Sequence, residues 1–107
     1  MTDALHPYPP REHWWLAVLG RTLHWARLRV REAGTAEVLD HDGTVHAYDS
    51  EDTARSMLLD AGYVEFDGLD EDDALERGFS LDEVAPPRAD DDATLVTRMS
   101  LDLGRRA

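Results

Sequence analysis

The sequence contains no cysteine, so it has no disulfides and no thiolate metal sites. It also lacks lysine, isoleucine, asparagine and glutamine, and every basic side chain other than histidine is arginine. Long apolar runs are missing as well. The longest, Trp14 to Gly20, is seven residues, against the roughly 20 that a membrane-spanning helix needs. The segment before it, His6-Pro7-Tyr8-Pro9-Pro10-Arg11-Glu12, has neither a basic n-region nor a long apolar h-region. It does not read as a secretion signal, and a cytoplasmic protein is the default expectation. No Gly-x-Ser-x-Gly setting surrounds any serine, and no glycine-rich phosphate loop is present.

What remains is 107 residues with 42% hydrophobic content, enough for one domain with a core. The formal net charge is −12, from 23 acidic and 11 basic residues, and it is unevenly placed. Residues 1–34 carry +2, residues 35–92 carry −16 and residues 93–107 carry +2. The central stretch therefore repels polyanions. Nucleic acid and anionic membrane are disfavoured as partners, and a basic protein surface or a divalent cation is favoured.

The pattern along the chain predicts an α+β fold: an antiparallel sheet of four to five strands, with a helix packed on one face. Residues 1–9, with Pro7 and Pro9, are expected to be poorly ordered. Pro10 suits a first helical position, and residues 10–19 are expected to form a short helix ended by Gly20, a buried strand being the competing reading. Ala26, Leu28 and Val30 alternate with Arg27, Arg29 and Arg31, which predicts a strand with the arginines on its wet face. Turns at Gly34 and at His41-Asp42-Gly43 complete a meander over 23–48. Ser50 or Asp49 caps a helix over 51–61, whose Ala54, Met57, Leu58 and Ala61 form one apolar stripe. Tyr63 to Phe66 reads as a short strand, Asp70 as the cap of a second helix, Ser80 as the start of a further turn, Arg88 to Asp92 as a loop and Thr94 to Leu103 as a last strand. Across residues 10–61 the order helix, three strands, helix resembles the double-stranded-RNA-binding fold in topology. Glu51 and Asp52 stand where that family places basic residues, which argues against RNA.

Candidate site residues are few. Asp67, Asp70, Glu71, Asp72 and Asp73 are a dense acidic group, yet lack calcium-loop grammar: counting from Asp67, the twelfth position is Gly78 instead of a bidentate Glu. His41 and His46 flank a hairpin turn, where Asp40 or Asp42 could join them, but no His-x-His or helical His pair exists. Glu65 lies between Val64 and Phe66, and alternation puts it on the opposite, wet face. Trp14, Trp15, Arg27, Arg29 and Arg31 have the composition of a contact surface. Two neighbouring tryptophans cannot face the same way, so one is a candidate for exposure. The arginine row suits the acidic segment of the same or a second chain, and a homodimer is one expectation.

The leading expectation is a non-catalytic protein acting by protein–protein contact, an adaptor, inhibitor or immunity-like protein, which docks a basic partner through residues 65–92. No cofactor is called for. The alternative is a small-ligand or divalent-cation module; a third reading is a carboxylate enzyme assembled at a dimer interface.

Overall fold

The computed structural model describes residues 11–103. A six-stranded antiparallel sheet runs β1 (Arg11–Leu19), β2 (Thr22–Val30), β3 (Ala36–Leu39), β4 (Val45–Tyr48), β5 (Val64–Glu65) and β6 (Ser100–Asp102). Its order is β4-β3-β2-β1-β5, with β6 also on β2. Three helices accompany it: α1 (Glu51–Asp60), α2 (Glu71–Glu76) and α3 (Asp92–Val96). The meander and the helix after it form as their periodicity predicts, α1 beginning at Ser50, whose side chain accepts from the Thr53 N–H.

The first element differs from expectation. Residues 11–19 are a strand, not a helix; Pro10 and the proline-rich segment 1–9 lie outside the described residues. Trp15 packs beneath α1 while Leu16 and Val18 pack on the opposite face. A strand buried on both faces shows no polar alternation, so its apolar run reads the same as a buried helix. Gly20 is not a helix stop. At φ 61° it takes the first turn position of a tight hairpin, and β1 and β2 then pair along all nine residues. With a strand in first place, the topological likeness to the RNA-binding fold is lost.

The last segment also differs. Instead of one strand over 94–103, Asp91 caps α3, its carboxylate accepting from the Thr94 N–H at 2.7 Å. Leu95 and Met99, four residues apart, point into one core. Only Ser100–Asp102 pairs with β2, opposite Thr22–His24. The predicted strand at Tyr63 to Phe66 shortens to Val64–Glu65.

Both faces of the sheet are covered. On one, Trp15, Ala26, Leu28, Val30, Ala36 and Val38 meet Ala54 and Leu58 of α1. On the other, Leu16, Leu23, Trp25 and Leu39 meet Ala74 of α2, Phe79, Val84, Leu95 and Met99. This second layer is formed by the acidic segment together with the chain from Phe79 to Met99. Among the described residues no helix is long and apolar enough to cross a membrane.

Trp25 is the centre of the second core, with Trp14 and Phe66 edge-on at 5.9 and 5.2 Å between ring centroids. Trp25→Ala is expected to cost about 3–5 kcal/mol. Leu59→Ala, at a side chain 58% exposed, should stay within about 0.5 kcal/mol. Urea denaturation of the two variants checks the contrast.

β6 is tied down by a histidine contact. The His24 ring stacks on His41 at 3.9 Å, and its Nδ1 lies 3.0 Å from Ser100 Oγ. Burial lowers the His24 pKa, the His41 ring adds to this, and Asp42 opposes it. A folded-state pKa below the ordinary value of about 6.5 means the unfolded chain binds the proton first. Stability is therefore undiminished by this group above pH 6.5 and falls as pH drops below it. Thermal midpoints between pH 7.5 and 5 should decline, and His24→Gln should flatten that decline.

Candidate functional site

The acidic segment is partly consumed by its own fold. Asp70 caps α2 by accepting from the Asp73 N–H at 2.8 Å, and the Asp73 carboxylate accepts from the Asp70 N–H at 3.4 Å. Glu71 accepts from Ser80 Oγ at 2.8 Å and from the Leu81 N–H at 2.9 Å. Acids at this position also suit the positive end of the helix dipole. Among the described residues, none of Asp67, Asp70, Glu71, Asp72 and Asp73 has an arginine ion pair. The one arginine hydrogen-bonded in their midst, Arg77, donates to the Asp73 backbone carbonyl at 3.0 Å.

The arginine row is wet only at its end: Arg31 is exposed, Arg29 half-buried and Arg27 buried. Arg27 and Arg29 share their side of β2 with Leu23 and Trp25, and the chain's own later segment folds over that side. Arg27 is only 6% exposed. Its Nη1 and Nη2 donate to the two carboxylate oxygens of Asp92 at 3.1 and 3.4 Å. Arg29 Nε donates to Glu12 at 2.8 Å across the β1–β2 ladder, and Arg31 lies 2.8 Å from Glu37 across β2–β3. The row thus meets carboxylates of the same chain. Neither tryptophan of the pair is exposed. Trp14 is half-buried beside Trp25, and Trp15 is 2% exposed beneath the Arg55 guanidinium, 5.1 Å from its ring. Between the arginine face and residues 87–98 lies a cleft of about 660 Å³. Arg27, Arg29, Arg88 and Arg98 line it, but so do Glu12, Asp90 and Asp91, so its walls are nearly charge-balanced.

On the opposite side of β1 the structure assembles a group that no local pattern in the sequence announces. β1 pairs with β5 with Trp15 opposite Glu65, which places His13 across from Asp67 when the register is continued. Glu65 is half-buried rather than wet. His13 Nδ1 stands 3.1 Å from Glu65 Oε2, and His13 Nε2 is 3.9 Å from Glu51 Oε2. Arg55 of α1 bridges Glu51 at 3.2 Å and Glu65 at 2.5 Å, and Arg11 reaches Glu51 at 3.1 Å. One donor atom each from His13, Glu65 and Asp67 lies within 4.8 Å of the others. The strand over 11–19 is the missing signal, since alternation then puts His13 on the Trp15 face.

The hairpin histidines separate. His46 Nε2 lies 3.0 Å from Asp40 Oδ2, whereas His41 turns to His24. Burial would raise the Asp40 carboxyl, but the His46 contact and the N–H groups of Thr44 and Asp42 outweigh it and hold it below the usual carboxylate range. Among the described residues the His13 group is the one set of three metal-ligating side chains brought together.

Comparison with known proteins gives no further guide: no family model matches the chain, and neither a curated protein nor a solved structure does.

The Arg27–Asp92 pair is asymmetric, with a guanidinium 7% exposed and a carboxylate 60% exposed. The hydrogen bond from Arg27 holds the Asp92 carboxyl below its ordinary range. Asp92→Ala leaves a buried charge without its partner and is expected to cost about 1–3 kcal/mol. Arg27→Met leaves only an exposed carboxylate, and adding it to Asp92→Ala should recover part of the loss. Because the folded pKa is lowered, the pair's contribution is present at neutral pH and disappears as pH falls through the folded pKa. Urea midpoints of the single and double variants at pH 7 and pH 3 measure both effects.

Proposed function

We propose that this protein is a non-catalytic binding protein that acts by contact, its acidic segment 65–92 receiving a basic protein surface. The observation that carries this reading is the distribution of ion pairs. Arg11, Arg27, Arg29, Arg31 and Arg55 are all engaged with carboxylates. Those carboxylates are Glu12, Glu37, Glu51, Glu65 and Asp92. Asp67, Asp70, Glu71 and Asp72 are exposed, and together with half-buried Asp73 they keep an uncompensated charge that a cationic surface would neutralise. With 23 acids and 11 arginines in the chain, internal pairing cannot remove that field. Such a field speeds encounter with a cationic partner and selects its sign.

The arginine and tryptophan face supports this reading differently from the expectation of a self-association surface. Arg27 pairs with Asp92 at the start of α3 and Trp14 packs on Trp25, while Trp15 lies on the other face beneath α1, so these side chains are engaged within the chain.

A variant with Asp67, Asp70, Asp72 and Asp73 changed to Asn and Glu71 changed to Gln keeps the hydrogen-bond acceptors while removing five charges. Affinity capture from the native cell extract is expected to enrich a basic protein on the wild-type chain. It should release as salt is raised, because contacts between exposed charges are screened over about 8 Å at 0.15 M. The folded variant should lose it by at least about tenfold. Equal retention by the variant, or enrichment of nucleic acid in its place, overturns the reading.

A further inference from the structure

We propose that His13, Glu65 and Asp67 form a binding site for one divalent transition-metal ion of the zinc type. The inference goes beyond the docking of a basic protein and does not rest on it. Its ligands come from adjacent strands, His13 from β1, Glu65 from β5 and Asp67 from the turn just after, so backbone pairing fixes their approach. An imidazole with two carboxylates is a donor set that suits a borderline cation better than calcium, which takes six or more oxygens.

The distances are close to those of a ligated site. Tetrahedral bonds of 2.0–2.1 Å put ligand atoms about 3.3 Å apart. His13 Nδ1 and Glu65 Oε2 are already 3.1 Å apart, and Asp67 completes the set within 4.8 Å. Asp67 is exposed and makes no hydrogen bond or ion pair among the described residues, so its side chain can rotate inward without breaking a contact.

A second, independent observation concerns the imidazole. His13 Nε2 is shut off from solvent and has no hydrogen-bond partner, the nearest carboxylate oxygen lying at 3.9 Å. One ring nitrogen faces a carboxylate while the other is unsatisfied. With Nδ1 on the cation, Nε2 carries the ring proton toward Glu51 Oε2, and a carboxylate on that side is the outer partner a ligating imidazole commonly takes.

Charge is consistent with a cation. Glu51, Glu65 and Asp67 bring three negative charges, while Arg11 and Arg55 bring two positive ones, leaving one net negative charge beside the imidazole. Arg55 occupies Glu65 Oε1 and leaves Oε2 toward His13. It is a positioning residue that orients the carboxylate as outer hydrogen bonds do at metal centres. Its own charge also weakens cation binding, so affinity in the micromolar range is expected rather than that of a structural zinc centre.

The test is a titration of the full chain with zinc chloride at pH 7, followed by calorimetry and by the ring-nitrogen resonances of the five histidines. One equivalent should bind, and the His13 ring signals should shift while those of His46 stay. His13→Gln and Asp67→Asn should each weaken binding by at least about tenfold, and His46→Gln should leave it unchanged. Absence of heat at millimolar zinc overturns the proposal. So does binding that survives Asp67→Asn, an exposed site where folding is not at stake, or a shift centred on His24, His41 or His46. His13→Gln lies outside the acidic segment, so its failure to affect zinc would leave the capture experiment intact.

Discussion

The fold depends on covering β2 from every direction. Its nine residues are hydrogen-bonded to β1 along one edge, and β3 and β6 divide the other between them. Its two faces alternate Ala26, Leu28 and Val30 with Leu23, Trp25 and Arg27, all of them buried. A strand in that position places a guanidinium inside the protein, and a buried charge must be paired to be tolerated. Asp92, on the segment that crosses back over the sheet, is the pair. The second layer combines that pair with one apolar cluster, in which Ala74 of α2, Phe79, Leu95 of α3 and Met99 after it pack with Leu16, Leu23 and Trp25.

The same arrangement divides the electrostatics into two parts. Arginines of the sheet are taken up by nearby carboxylates, several across a single pair of strands. The carboxylates of the α2 region instead serve the backbone, capping the helix and the turn after it, and remain unneutralised. Charge of one sign therefore collects where the chain needs hydrogen-bond acceptors. The His13 group sits at the margin between the two regimes, with Arg55 compensating Glu51 and Glu65 while Asp67 belongs to the acidic stretch.

Local patterns were legible where one face of an element is wet. The alternation of 36–38 and the caps at Ser50 and Asp70 correspond to elements in place, whereas the α1 stripe holds only in part: Ala54 and Leu58 are buried, and Met57 and Ala61 are exposed. Patterns failed where burial is two-sided or where a short segment satisfies two periods. Trp14 to Leu19 has no polar face to reveal its period. In β2 Arg27 and Arg29 mimic a solvent face because their charges are satisfied by Asp92 and Glu12, 65 and 17 residues away. At the C-terminal side Leu95 and Met99 fit both a spacing of four and a spacing of two, and the Asp91 cap decides in favour of a helical turn. The acidic segment was visible as composition, and its capping roles were partly visible as spacing. The His13–Glu65–Asp67 group was not, because it needs a register between residues some fifty positions apart.

Sharing one edge of β2 between β3 and β6 also imposes an order on synthesis. A nascent chain that has emerged only as far as α1 already holds every residue of the first core except its packed neighbour Tyr63. Leu23 and Trp25 then lack Leu95 and Met99, and Arg27 lacks Asp92, until residues 91–102 have left the ribosome. During that interval the growing polypeptide presents a cationic, aromatic surface, opposite in character to the acidic layer that later covers it.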